Sequence, residues 1–226
     1  MPELKPAGVQ PPAHEARPTN AATATKGNEA GPWEFAHALL FTGHMIDKAD
    51  REEPRFPAWA EGRARKAIRD AVAAIPWTRP GPTVGLSAAA SGGDLLFLEA
   101  CAELGIPTRI LLALPIEEFL AASVAPAGPV WVKRFHEMVE MCGPENLRIM
   151  GKTDGLLEGE NDNIWLRANL WMIEEAVELA PERSLLALWD GKTGDGPGGT
   201  DHLVQAAVKL GVRVAPPISM QMLLRS

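Results

Sequence analysis

From residue 33 onward, short apolar runs alternate with longer stretches whose apolar positions recur every three or four residues. The runs at 38–43, 83–87, 108–114, 147–150, 184–189 and 212–215 predict β-strands. The stretches at 57–75, 94–104, 116–124, 130–142, 164–179 and 201–210 predict helices. Pro57 suits the first turn of its helix, and Gly105 and Gly211 stand where helix C-termini call for glycine. The strands are apolar throughout rather than alternating, as expected where both faces of a sheet are covered. Strands separated by helices of this length imply parallel crossover units. The predicted fold is α/β, a Rossmann-like three-layer sandwich with a mostly parallel central sheet. The run at 147–150 predicts a strand near the sheet edge.

Residues 1–32 carry no such period and are rich in Pro, Ala, Gly and Thr. They cannot bury enough surface to offset their ordering entropy, and predict a flexible N-terminal tail before a single domain over 33–226. The chain has 226 residues, 46% of them hydrophobic, which is enough for one sizeable core. A net charge of −7 argues against broad nucleic-acid binding, which needs clustered Lys and Arg. Arg63, Arg65, Lys66 and Arg69 make one basic helical face, but with Glu61 and Asp70 beside it a solvated surface explains it. No apolar run reaches the ~20 residues of a membrane span, and residues 1–26 show no signal-peptide pattern. A cytoplasmic protein is the expectation. Cys101 and Cys142 form no Cys-x-x-Cys pair and sit in apolar helical patterns. They read as buried free thiols, with no metal site.

In an open parallel sheet, ligands bind outside the carboxyl ends of the strands, so the chemistry is sought in the segments that follow them. After the first strand come Gly43 and His44, a turn that either approaches a ligand or faces solvent. After the second, residues 87–94 read Ser-Ala-Ala-Ala-Ser-Gly-Gly-Asp. Small residues, two glycines and then a helix are the recipe for an anion cradle of exposed N–H groups. Ser87, Ser91, Gly92, Gly93 and Asp94 are its candidates, although Ser91 or Asp94 could equally cap the helix. A carboxylate there repels phosphate unless it meets a ribose hydroxyl or an amine. Glu103 reads as a solvent-facing edge, and Glu99, nearer the cradle, stays open. In the helix at 164–179, Asn169 interrupts an apolar stripe, so it either ties down a strand or loop or faces the pocket. Arg167 near its start reaches an anion or is solvated. After the fifth strand, Asp190 opens a glycine-rich segment ending in Gly198, Gly199 and Thr200, a second nest of N–H groups at a helix start.

This ordered set is similar to the SLOG superfamily, which includes the Lonely Guy cytokinin-activating enzymes, molybdenum-cofactor carriers and the DNA-processing protein DprA. The similarity runs through Thr42-Gly43-His44, Gly85-Leu86-Ser87, Ser91-Gly92-Gly93-Asp94 with Glu99, Arg167 and Asn169, Trp189-Asp190-Gly191 and Gly198-Gly199-Thr200, over about residues 37–218. The resemblance implies a Rossmann-like fold, a nucleotide-type ligand and, in many members, a homodimer. It places Gly92, Gly93, Gly198, Gly199 and Thr200 at phosphate-contacting positions. It also shows a departure. The Lonely Guy enzymes carry Pro-Gly-Gly-x-Gly-Thr followed closely by Glu, whereas Pro197-Gly198-Gly199-Thr200 lacks the insertion and no glutamate occurs over 201–210. Their catalytic arginine has no secure counterpart here. Glycoside cleavage needs a carboxylate at the sugar, for which Asp94, Glu99, Asp190 and Asp201 remain.

The expectation is therefore a binding or sensing module for a nucleotide or nucleotide-derived molecule. A nucleotide N-glycosidase or ribosyl transferase is the first alternative, and a ligand-free protein-interaction module the second. DNA binding is disfavoured by charge.

Overall fold

The computed structural model describes residues 33–48, 51–152, 154–155, 163–192 and 198–225. The predicted tail lies outside them. The chain runs through β1 (His37–Gly43), α1 (Glu61–Ala73), β2 (Thr83–Ser87), α2 (Gly93–Glu103), β3 (Thr108–Leu112), α3 (Ile116–Ser123), α4 (Pro129–Cys142), β4 (Leu147–Ile149), α5 (Ile164–Leu179), β5 (Glu182–Trp189), α6 (Thr200–Lys209), β6 (Arg213–Val214), β7 (Ile218–Ser219) and α7 (Met220–Arg225). Single 3-10 turns precede α1 and α4. The sheet order is β4-β3-β2-β1-β5-β6, with β7 paired to the end of β5, and every pairing is parallel.

The fold is a Rossmann-like α/β sandwich of three layers, and the strand alternation shows why. Successive residues of a strand face opposite sides. In β1, Leu39 and Phe41 pack into one core with α1, α2, α3 and α4, while Ala38 and Leu40 pack into the other with α5 and α6. In β3, Ile110 and Leu112 take the first side and Leu111 the second. Helix α2 is buried along most of its length because α1 and α4 flank it over the sheet centre. That is why its sequence shows no polar face. Cys101 sits on it, fully buried, and burial pushes its thiol up to about 12, which keeps it unreactive. Among the described residues, no helix is long and apolar enough to cross a membrane.

From β1 the chain first builds outward through β2, β3 and β4, then returns to lay β5 and β6 on the other side of β1. The strand order thus reverses between β1 and β5. In sheets of this class that reversal leaves a crevice at the carboxyl ends of the two strands. Two elements differ from the sequence expectation. The terminal strand shrinks to Arg213–Val214, and the segment after it forms β7 and α7. Neither is long enough to show a period.

Candidate functional site

A cleft of about 670 Å³ opens at this reversal point. Its walls are apolar and aromatic, with Leu111, Phe119, Trp165, Met172 and Trp189, and its polar groups arrive from three directions. This is the usual make-up of a small-molecule site.

The exit of β1 forms one side. His44 donates its backbone N–H to Leu188 O (3.2 Å) and accepts at its carbonyl from Gly93 N–H (3.0 Å). Its ring Nε2 accepts from the Asp190 N–H (3.2 Å), which leaves the ring proton on Nδ1. Burial pushes the His44 pKa below 6.5, outweighing the nearby Asp190 carboxylate, so the ring is neutral. Asp190 itself sits behind the cleft. Burial opposes its ionisation, but the Lys192 N–H and the Arg55 guanidinium hold its carboxyl below the usual range. It contacts the His44 ring at 3.4 Å and the Arg55 guanidinium at 3.6 Å.

Beyond His44 the chain becomes a strap over the mouth of the cleft. Asp47 fastens it, accepting from the Arg55 and Phe56 amides at 2.8 and 2.9 Å and pairing with Arg51 at 3.5 Å. Asp47, Lys48, Arg51 and Arg55 all line the cleft. Sequence reasoning missed these four. The available signal was the loop itself: more than a dozen residues without a period between β1 and α1 is long for an α/β connection.

The Gly-Gly-Thr segment forms the second side. Gly198, Gly199, Thr200 and Asp201 line the cleft at the start of α6, whose N-cap, Gly199, offers no side chain to its amides. Asn169 Nδ2 donates to Gly198 O at 2.8 Å and also reaches Gly199 O (3.4 Å) and His202 Nδ1 (3.1 Å). Asn169 therefore both ties down this loop and lines the cleft. Gly198 has φ +87°, and a Cβ there would collide with Trp165.

The small-residue loop after β2 behaves differently from an anion cradle. Its Ala90, Ser91 and Gly93 amides donate to Asp94 Oδ2, Ser123 O and His44 O. Gly92 (φ +96°) lies so close to the β1 exit that a Cβ would sit 2.6 Å from Ile46 N, and a Cβ on Gly93 would sit 3.0 Å from Gly43 Cα. The glycines are thus required by loop-on-loop packing, not by ligand contact. Ala89, at φ +62°, is the non-glycine residue with positive φ among those described, and marks the strain of this turn. Ala88, Ala90 and Asp94 line the cleft, while Ser87, Ser91, Gly92 and Gly93 lie beneath it.

Of the sequence candidates, Gly43, His44, Asp94, Asn169, Gly198, Gly199 and Thr200 come together around one cavity. Arg167 does not. Its guanidinium donates to the carbonyls of Gly151, Lys152 and Asp154, because it emerges from α5 toward the loop after β4. Glu99 is also removed from the site: Arg134 grips it at 2.6 and 2.8 Å and Arg65 at 2.6 Å. Asp94 is the remaining carboxyl at the floor. Burial raises its pKa to about 7, opposed by the Ala90 and Gly43 amides. No cluster of three His, Cys, Asp or Glu that could hold a metal occurs among the described residues.

No family model matches the chain, and no curated protein matches it. Among solved structures, the chain is similar to DNA processing protein A (DprA) from Streptococcus pneumoniae, at 13% identity and TM-score 0.34. That match covers 86% of this chain and 62% of DprA, so the chain spans under two thirds of its length. It is also similar to SuiB from Streptococcus suis bound to S-adenosylmethionine, at 14% identity and TM-score 0.22, covering 81% of this chain and 39% of SuiB. Likeness at this level carries nothing about activity.

Proposed function

We infer that the chain binds a nucleotide or nucleotide-derived small molecule, with its anionic group at the start of α6 and its base against the aromatic wall. One observation carries the reading. Gly198, Gly199 and Thr200 present a helix N-terminus without a side-chain cap to a cavity large enough for such a ligand, at the crevice where sheets of this class bind theirs. The His44 ring N–H adds a donor, and Lys48 lines the mouth beside Arg51 and Arg55, which pair with Asp47 and Asp190. This electrostatic arrangement is local, so a chain of net charge −7 can still hold a small anion. The reading makes the protein a cytoplasmic sensor or carrier, with a homodimer, which the SLOG resemblance implies, as the proposed assembly.

The test is isothermal titration with adenosine mono-, di- and triphosphate, together with mass spectrometry of small molecules released on denaturation. Asn169→Leu frees the Gly198 and Gly199 carbonyls and is expected to weaken binding at least tenfold, about 1.4 kcal/mol. Wild-type affinity in that variant would remove α6 from the site.

A second reading, N-glycosidic hydrolysis, is favoured by Asp94, whose carboxyl lines the cleft with a pKa near the working range of a general acid or base. It predicts free base in the titration mixture, measured by chromatography. Stable nucleotide after hours of incubation leaves the binding reading alone.

A further inference from the structure

Asp94 is only 7% exposed, yet it faces the cleft. Its Oδ2 accepts from the Ala90 amide at 3.3 Å and the Gly43 amide also favours the carboxylate, while Oδ1 has no partner within hydrogen-bond geometry. Ser87 Oγ and Ser91 Oγ share that state but lie beneath the cleft, so Asp94 Oδ1 is the one of these atoms whose residue lines the cavity among those described. Native folds satisfy buried polar atoms, and an exception that lines a cavity points to a partner that enters from it. The surroundings offer Asp94 no compensating cation. The loop before it is alanine, serine and glycine, α2 continues as Leu95-Leu96-Phe97-Leu98, and α3 presents Phe119, Ala122 and Ser123. The charged and titratable groups that face the cleft come from the β1 exit and strap (His44, Asp47, Lys48, Arg51, Arg55) and from α6 (Asp201). None of them contributes to the rise in the Asp94 pKa, which burial causes.

The position of Asp94 relative to α6 limits what the partner can be. The Gly43 amide favours the Asp94 carboxylate, and the preceding hydroxyl, Thr42 Oγ1, donates to Thr200 Oγ1 at 3.4 Å. Adjacent residues of β1 thus touch the Asp94 carboxyl and the start of α6, so the two groups lie close together at the same strand end. A ligand with its anion at α6 must carry its hydrogen-bond donor close to that anion, within a sugar ring, rather than on the distant edge of a base.

The geometry points to Asp94 as the specificity-determining residue of the cleft, accepting a hydrogen bond from a sugar hydroxyl of a phosphorylated pentose and so selecting a ribonucleotide over its deoxy analogue. This rests on the anion site proposed at α6. Such a bond favours the ionised carboxyl. With no ligand, burial keeps the pKa about 7, so binding at neutral pH releases a proton and affinity rises as pH rises through that value. Burial pushes the His44 pKa down from its ordinary value, which moves its titration away from this window.

The experiment is calorimetric titration of the full chain with adenosine 5′-monophosphate and its 2′-deoxy and 3′-deoxy analogues, at about pH 6, 7 and 8, in two buffers of different ionisation enthalpy. Wild type is expected to bind the ribonucleotide at least about tenfold more tightly than one deoxy analogue, and to release a proton near neutrality. In Asp94→Asn both effects disappear. Comparison with that variant removes the ligand's own phosphate ionisation, which falls near pH 6. Equal affinity for the three nucleotides, or equal proton release by wild type and Asp94→Asn, overturns the role of Asp94 and leaves the α6 site standing. Failure to bind any of the three, or ribose 5-phosphate, overturns the α6 site and this inference with it. The wild-type comparison decides the matter even if the variant does not fold.

Discussion

At the scale of single residues, the glycines and Asp94 show how crowding and burial replace what looks like ligand chemistry. Gly93 and Gly105 bracket α2, but for different reasons. Gly93 has ordinary backbone angles and no room, since a Cβ would meet Gly43 Cα at 3.0 Å and Phe41 at 3.2 Å. Gly105 has φ +68° and open space around it. Gly93→Ala is expected to cost about 1–3 kcal/mol through overpacking, and Gly105→Ala about 1 kcal/mol through left-handed backbone strain. Urea denaturation measures both, and a harmless Gly93→Ala would return that glycine to the ligand. Asp94 carries a pH signature of its own. Its pKa is about 7 in the folded chain against an ordinary value of 3.8, so the folded state binds the proton more tightly. The resulting penalty is absent at about pH 4, grows as pH rises, and is complete above pH 7. Asp94→Asn should therefore raise the melting temperature relative to wild type at about pH 8, by the equivalent of a few kcal/mol at most, and by less at about pH 5. An equal change at both pH values would mean that Asp94 is not the group that titrates.

At the scale of elements, long periodic segments were legible and short ones were not. Helix α5 occupies 164–179 as its apolar stripe predicts, with Asn163 as its cap, donating nothing but accepting from the Trp165 and Leu166 amides. Asn169 stood out because an amide inside that stripe needs a reason, and the clasp on Gly198 supplies it. The strap over 44–48 and 51–56 was invisible because its fastening is tertiary: Asp47 holds amides eight and nine residues ahead. The Ser-Gly-Gly loop misled for a related reason. Composition shows that a backbone must come close to something, not whether that something is a ligand or another loop. Glu99 was undecidable in the sequence because its partners lie on α1 and α4. Arg134 bridges those helices, with Glu99 on one side, Glu61 at 2.9 Å on the other, and its guanidinium 3.9 Å above the Trp131 ring. Arg134→Ala leaves Glu99 with Arg65 alone, and is expected to destabilise the fold by about 1–3 kcal/mol while leaving nucleotide affinity unchanged. Parallel denaturation and titration separate the two effects, and a loss of affinity without loss of stability would put Glu99 back in the site.

At the scale of the whole molecule, charge decides what kind of partner the fold can meet. The net charge is −7, and the basic residues of α1 are already engaged. Arg65 contacts Glu99 at 2.6 Å and Glu61 at 3.5 Å, Lys66 contacts Asp70 at 2.5 Å, and Arg69 contacts Glu103 at 3.2 Å. Arg63 donates to Leu223 O at 3.0 Å and lies over the Trp59 ring. Binding to a nucleic-acid backbone draws its free energy from counterions released as Lys and Arg neutralise phosphates. Cations already paired with carboxylates neutralise little, and the acidic remainder of the surface repels the polymer. The cations that line the cleft, Lys48, Arg51 and Arg55, sit at the mouth of a concave site that has no room for an extended strand, and Arg51 and Arg55 are themselves paired with Asp47 and Asp190. Fluorescence anisotropy with labelled single-stranded and duplex DNA, at about 0.15 M salt, should therefore show no binding at micromolar protein, while the mononucleotide titration at the same salt does. Micromolar DNA binding that weakens steeply with added salt, and that Arg63→Glu abolishes, would reassign α1 as a nucleic-acid face and make the cleft secondary to it.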